Sequence, residues 1–238
     1  MRRIVAALVV GMLTVPFAGS AALAVDSLPS STPLAMPVPQ ATIMARSHAP
    51  IGTCKGLQDA YDAGGWPRGT GIETLKQIDS RVKQRISLKN DAGADVWTPL
   101  AATVLAGKRA TGDCDDVSVT VAQLGVCAGM PAERLGLLIS ESPRSGADEL
   151  HMMAFYADPS DRYWVFGDTF GRPRALSQVR QRILFFTHID HPTKWFALRG
   201  RDGAPLTSDV PAATSAIPEL PLIPVKGSCS GLWGDGQG

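Results

Sequence analysis

Gly112-Asp113-Cys114-Asp115-Asp116, followed by Val117, Val121 and Leu124, is the stretch on which the reading of this chain turns. Apolar residues at steps of three and four begin directly after the cysteine, so the spacing predicts a helix whose first residue is Cys114. Gly125 and Gly129 weaken its far end. Upstream, Ile72, Leu75, Ile78, Val82 and Ile86 carry the same period and predict an amphipathic helix from about 71 to 87. Thr98-Pro99 reads as an N-cap with proline at the first helical position, opening a short helix to about Leu105.

After Pro131 the period changes. Leu135 to Ser140, Leu150 to Tyr156 and Tyr163 to Gly167 are short apolar runs rich in aromatic and branched residues. The segments Ser142-Pro143-Arg144-Ser145-Gly146 and Asp158-Pro159-Ser160-Asp161 separate them with turn formers. These read as adjacent antiparallel strands, with Ile183 to Thr187 and Trp195 to Leu198 adding more. Helices first and a meander after predict an α+β fold, N-terminal helices packed on an antiparallel sheet.

The two ends of the chain have a different character. Arg2 and Arg3, the apolar Ile4–Val10 run and Ala22-Leu23-Ala24 form an export signal, with cleavage expected after Ala24. Removing residues 1–24 takes away two arginines and moves the formal charge from +1 to −1. With no basic stripe and no other apolar run near 18 residues, neither a nucleic-acid partner nor membrane insertion after cleavage is expected. Residues 25–50 read as a flexible Ser/Pro/Ala-rich lead-in and 201–238 as a Pro/Gly-rich tail, which leaves the folded domain at 51–200. In an oxidising compartment Cys54 can pair with Cys229 or with Cys127; Cys114 is expected to stay free.

A chemical constellation follows from this layout. His151 stands 37 residues after Cys114 at the start of a strand, and Asp168 closes the next strand. A thiol, an imidazole and a carboxylate are the parts of nucleophilic acyl transfer: the imidazole takes the thiol proton and the carboxylate fixes its tautomer. A helix start favours the thiolate and offers a backbone N–H to an oxyanion. The plainer alternative, an ordinary surface or core histidine, loses ground because the Cys–His–Asp order coincides with matching element boundaries. A metal site at His188-Ile189-Asp190-His191 lacks helical spacing and a third ligand, and reads as a turn before Pro192.

The acids around the thiol raise a difficulty. A carboxylate about 6 Å from a thiolate costs roughly 3 kcal/mol at an effective dielectric of 20, or about two pKa units. A bound Ca²⁺, held in part by Asp113, Asp115 and Asp116, would remove that repulsion with hard oxygen ligands.

Trp97-Thr98-Pro99, the Gly112–Asp116 cluster, His151-Met152 and a Trp-bearing strand ending in Asp168 resemble the bacterial transglutaminase-like cysteine proteinases. The resemblance covers roughly residues 70–200. It implies a papain/transglutaminase-like fold with Cys114 as nucleophile, His151 as base and Asp168 as orienting acid. It further implies a calcium-dependent periplasmic thiol protease linked to biofilms, which cleaves a large surface adhesin and answers to an inner-membrane regulatory protein. Departures from the family pattern are Asp115, Asp116 and Val117 after the cysteine, and Leu100 in place of an acid after the Thr-Pro pair. A transglutaminase-type acyl transferase and a non-catalytic, calcium-stabilised binding module are the competing readings.

Overall fold

The switch of apolar period at Pro131 divides the molecule as expected, with helices before it and an antiparallel sheet after it. The computed structural model describes residues 31–33, 51–89, 97–142, 146–167, 171–179, 181, 183–192 and 194–198. Residues 1–24, expected as an export signal, residues 143–145, Asp168, Cys229 and the tail expected beyond 200 lie outside the described residues. So does the lead-in apart from Ser31–Pro33.

The helices are α1 (Gln58–Ala63), α2 (Ile72–Lys83), α3 (Ala101–Leu105) and α4 (Cys114–Cys127). The strands are β1 (Ser31–Pro33), β2 (Ile86–Leu88), β3 (Ala110–Gly112), β4 (Leu135–Ser142) and β5 (Gly146–Ala157). They continue with β6 (Tyr163–Phe166), β7 (Arg174–Ala175), β8 (Ile183–His188) and β9 (Phe196–Leu198). Seven strands form one sheet in the order β1-β9-β8-β4-β5-β6-β7, every pair antiparallel. A separate parallel pair joins β2 to β3.

Three local expectations change. The helix expected over 71–87 ends at Lys83, and Ile86 is taken up by β2, paired with Ala110 of β3. Ile86 is buried as the first residue of β2, so a strand satisfies the apolar position that the helical interval suggested. Helix α3 starts at Ala101 without a side-chain cap, and the Thr98 N–H goes instead to Asp116 of α4. Ser31–Pro33, inside the stretch expected as a flexible lead-in, pairs with β9.

Helix α4 is the centre of the fold. It is buried on nearly every side, not along the single stripe its apolar residues suggested. One side meets the sheet through Leu137, Ile139, Met152, Ala154 and Phe166; the other meets Leu75, Ile78 and Val82 of α2 and Val104 of α3. Such a helix must satisfy its internal polar groups. Thr120 Oγ1 accepts the Leu100 N–H at 2.8 Å, and Ser118 spends its hydroxyl on backbone carbonyls. Its C-terminus is tied down by the Cys54–Cys127 disulfide, which resolves one of the two pairings the sequence left open. The far face of the sheet closes over a second core of Leu138, Met153, Phe155, Val165, Leu176 and Phe186.

Candidate functional site

Cys114 is the first residue of α4 and is 3% exposed. It is not a free thiol: the structure holds it in a disulfide, which corrects the expectation from its acidic surroundings. The partner is not among the described cysteines, since Cys54 and Cys127 bond to each other.

His151 lies in β5 opposite Ser140 of β4 and is 4% exposed. Its carbonyl turns toward β4, where the Ser140 hydroxyl donates to it at 3.4 Å. Carbonyls along a strand alternate in direction, so Met152 O turns the other way, toward β6. Among the described residues the β5–β6 pairs end at Ala154 opposite Phe166. Ser118 of α4 reaches Met152 O, its Oγ lying 3.1 Å from that oxygen and 2.7 Å from Cys114 O. One hydroxyl therefore joins the first turn of α4 to the strand residue next to His151. Side-chain alternation puts Met152 and Ala154 on the helix-facing side, and His151 with Met153 and Phe155 on the other.

Asp168 itself lies outside the described residues, but the residue before it does not. Gly167 has φ +67°, and a Cβ there would stand 2.7 Å from Val121 Cγ2 and 3.1 Å from Ser118 Cα. The end of β6 thus presses on the same turn of α4 that Ser118 occupies.

The three acids form a group of their own. Asp113, Asp115 and Asp116 are all buried, and one carboxylate oxygen from each falls within 4.8 Å of the others. Oxygens bound to one Ca²⁺ at about 2.4 Å can be at most about 4.8 Å apart, so the group fits one ion. Asp113 occupies the N-cap position, where an aspartate ordinarily accepts an N–H of the first turn, yet it makes no such bond. Its Oδ1 is buried without a hydrogen-bond donor. Asp115 has partners elsewhere, although its Oδ2 receives no hydrogen bond. Asp116 Oδ1 accepts the Thr98 N–H at 2.6 Å. Gly112 makes room for that carboxylate, since a Cβ there would lie 2.5 Å from Asp116 Oδ2. Trp97-Thr98-Pro99 and the acidic cluster, quoted separately in sequence, are thus one structural unit. Among the described residues no other group of His, Cys, Asp or Glu could hold a metal ion.

Two expected minor roles resolve simply. Trp97 is a buried core residue packed edge-on against Trp195. His188 ends β8 with its ring against Phe155 and Phe186, while His191 is exposed beside Asp190. The residue that sequence reasoning missed is Ser118. A serine inside a buried apolar helix is the one signal that could have pointed to it.

No protein-family model matches the chain, and no curated protein is significantly similar to it in sequence. Among solved structures it aligns with calcium-bound LapG of Legionella pneumophila at 17% identity, over 66% of this chain and 85% of that one, with a TM-score of 0.46. EGTA-treated LapG of the same organism gives 17% identity, 66% and 84% coverage, and a TM-score of 0.43. In the described residues no helix is long and apolar enough to cross a membrane.

Proposed function

We propose that this chain is an exported cysteine endopeptidase of the papain/transglutaminase-like type, stabilised by calcium. Cys114 is the nucleophile, His151 the base and Asp168 the acid that orients the imidazole. The observation that carries this reading is the convergence on Ser118. Its hydroxyl bonds to Cys114 O and Met152 O, and Gly167 packs on its α-carbon, so the chain neighbours of all three residues meet at one turn of α4.

In the reduced protein, His151 takes the Cys114 proton and the thiolate attacks a peptide carbonyl. The negative oxygen that forms is stabilised by a backbone N–H at the start of α4. The amine leaves with the imidazole's proton, and water, deprotonated by His151, releases the acid and restores the thiol. Asp113, Asp115 and Asp116 would hold the Ca²⁺, whose charge would offset their repulsion of the thiolate. By the motif resemblance the substrate is a periplasmic or surface protein of adhesin type, and the regulator an inner-membrane protein.

Comparing the cell-surface and culture-supernatant proteins of the wild type with those of a Cys114→Ala strain tests this. One large protein shed by the wild type alone is expected; identical profiles would overturn the assignment. The disulfide at Cys114 favours a second reading, a calcium-stabilised binding module without catalysis. That reading requires the reduced protein to be inert toward peptide bonds. An acyl transferase would instead couple a primary amine to the acyl-enzyme, so added amine separates transfer from hydrolysis.

A further inference from the structure

The short parallel ribbon of β2 and β3 runs directly into the helix that Cys114 begins. It buries Ile86 and Gly112 and leaves Ser87 and Thr111, which face each other in the pairing, exposed. Cations flank that exposed face. Lys89 and Arg109 are both exposed, and the alternation of an extended chain puts them on the side of Ser87 and Thr111. Arg85 reaches the same end of the ribbon as Arg109, its guanidinium donating to Gly107 O at 2.8 Å. None of these three cations forms an ion pair with a described acid.

The backbone of β3 has a free side too. Ala110 donates its N–H to Arg85 O at 2.9 Å, and Gly112 O accepts the Lys89 N–H at 2.9 Å, so both residues bond toward β2. Backbone groups alternate in direction along a strand, so Thr111 between them turns its N–H and C=O to the outer edge. No described strand pairs with β3 on that edge.

We propose that this ribbon docks the substrate: an extended acidic segment beside the scissile bond lies along β3, pairs with the Thr111 backbone and faces Lys89, Arg109 and Arg85. This rests on the proteolytic reading above and adds a substrate class to it.

Thr111 stands three residues before Cys114, within about 11 Å of it along the chain. A strand added at Thr111 therefore reaches the nucleophile within about three of its own residues. Main-chain bonds of this kind give affinity whatever the sequence, and side chains at alternate positions give selection. Charges of one sign guard an open edge against chance pairing, yet they leave it receptive to a partner of the opposite sign. With cations at both ends of the edge, the side chains selected are carboxylates. A nucleic-acid strand fits less well, because no aromatic side chain stands among these cations to stack a base.

The test is the binding of short fluorescein-labelled peptides to the full-length, calcium-loaded Cys114→Ala chain, read by anisotropy. Peptides that alternate Glu with Thr, Gln with Thr and Lys with Thr differ in charge alone. The Glu peptide is expected to bind about tenfold more tightly than the Gln peptide, and to lose that advantage as salt is raised toward about 0.5 M. Lys89→Glu and Arg109→Glu are each expected to weaken it about five- to tenfold, and the double variant to prefer the Lys peptide. Thr111→Pro removes the outer N–H and keeps the bonds to β2, at a position where an edge strand tolerates proline; it is expected to weaken the Glu peptide about tenfold. With the reduced wild type, the Glu peptide is expected to raise the KM for fluorescein-labelled casein with kcat within about twofold. Equal affinity for the Glu and Gln peptides, binding unmoved by the charge reversals or by Thr111→Pro, or binding without competition against casein would each overturn the proposal. A reduced wild type that cleaves casein no faster than Cys114→Ala would instead sink the proteolytic reading itself, a distinct result.

Discussion

Gly167 lies against Ser118 so closely that a methyl group on the glycine would come within 3.1 Å of the serine α-carbon and 2.7 Å of Val121 Cγ2. Its φ of +67° adds a second demand that only glycine meets without strain. Gly167→Ala is therefore expected to destabilise the fold by about 2–4 kcal/mol, combining backbone strain with overpacking. Urea unfolding measures it, and a loss below about 1 kcal/mol would mean that the end of β6 is free to move off α4.

Ser118→Ala removes the hydroxyl that two backbone carbonyls share. Cys114 O and Met152 O are expected to cost the fold about 1–3 kcal/mol when they lose this donor. Protease activity is expected to fall further than stability explains, because the link between the first turn of α4 and β5 is lost. Activity per folded molecule, read beside the unfolding curve, checks this.

Calcium is expected to stabilise the protein through the Asp113, Asp115 and Asp116 oxygens. At a hundredfold excess over Kd the gain is about 2.7 kcal/mol, or a Tm shift of roughly 5–10 °C for a domain of this size. Asp113→Asn should abolish most of the shift. Equal melting temperatures in calcium and in EGTA would exclude the ion.

Because Cys114 is held in a disulfide, protein purified in air is expected to be inert and to gain activity on treatment with dithiothreitol. The chain has four cysteines and Cys54–Cys127 uses two, so a Cys229→Ser chain is expected to be active without reductant. Casein hydrolysis before and after reduction is the assay; full activity in the oxidised wild type would contradict it. The Cys54–Cys127 bond closes a separation of 73 residues, so Cys127→Ser should cost about 4 kcal/mol on the chain-entropy account.

His188 supplies a pH dependence. Burial holds its pKa below the usual imidazole value, although Asp190 pulls it back up. Unfolded, it protonates near pH 6.5; folded, it stays neutral to lower pH. The unfolded chain thus binds the extra proton, and stability is expected to fall as pH drops below about 6.5 until the folded imidazole also titrates. His188→Gln should flatten that part of the curve, as followed by unfolding at pH 7 and pH 5. A parallel pair of curves would place the effect on another group.

Much of this was legible from residues alone because it is written in short-range pattern. The start of α4 at Cys114, the strands after Pro131 and the Asp158–Asp161 turn all follow from spacing and turn chemistry. That turn is held by the Asp158 carboxylate, which accepts the Ser160 and Arg162 N–H groups and the Trp164 indole. Burial works to raise the Asp158 pKa, but these bonds win and leave it below the ordinary value. Ile86 misled for the same reason: an apolar residue at the right interval reads as helix, whatever its backbone does.

The order of the sequence determined the element types, the α+β arrangement and the acidic stretch around Cys114, since propensity and periodicity act over a few neighbours. Only the tertiary structure decided that Asp116 answers Thr98, that Ser118 reaches Met152 O of β5, and that Asp79 reaches Gly167 from 88 residues away. It also decided the fate of the thiols, because a sulfur finds its partner by distance in space. Those choices depend on how separate elements pack, and no local pattern of residues encodes which buried donor will meet which acceptor.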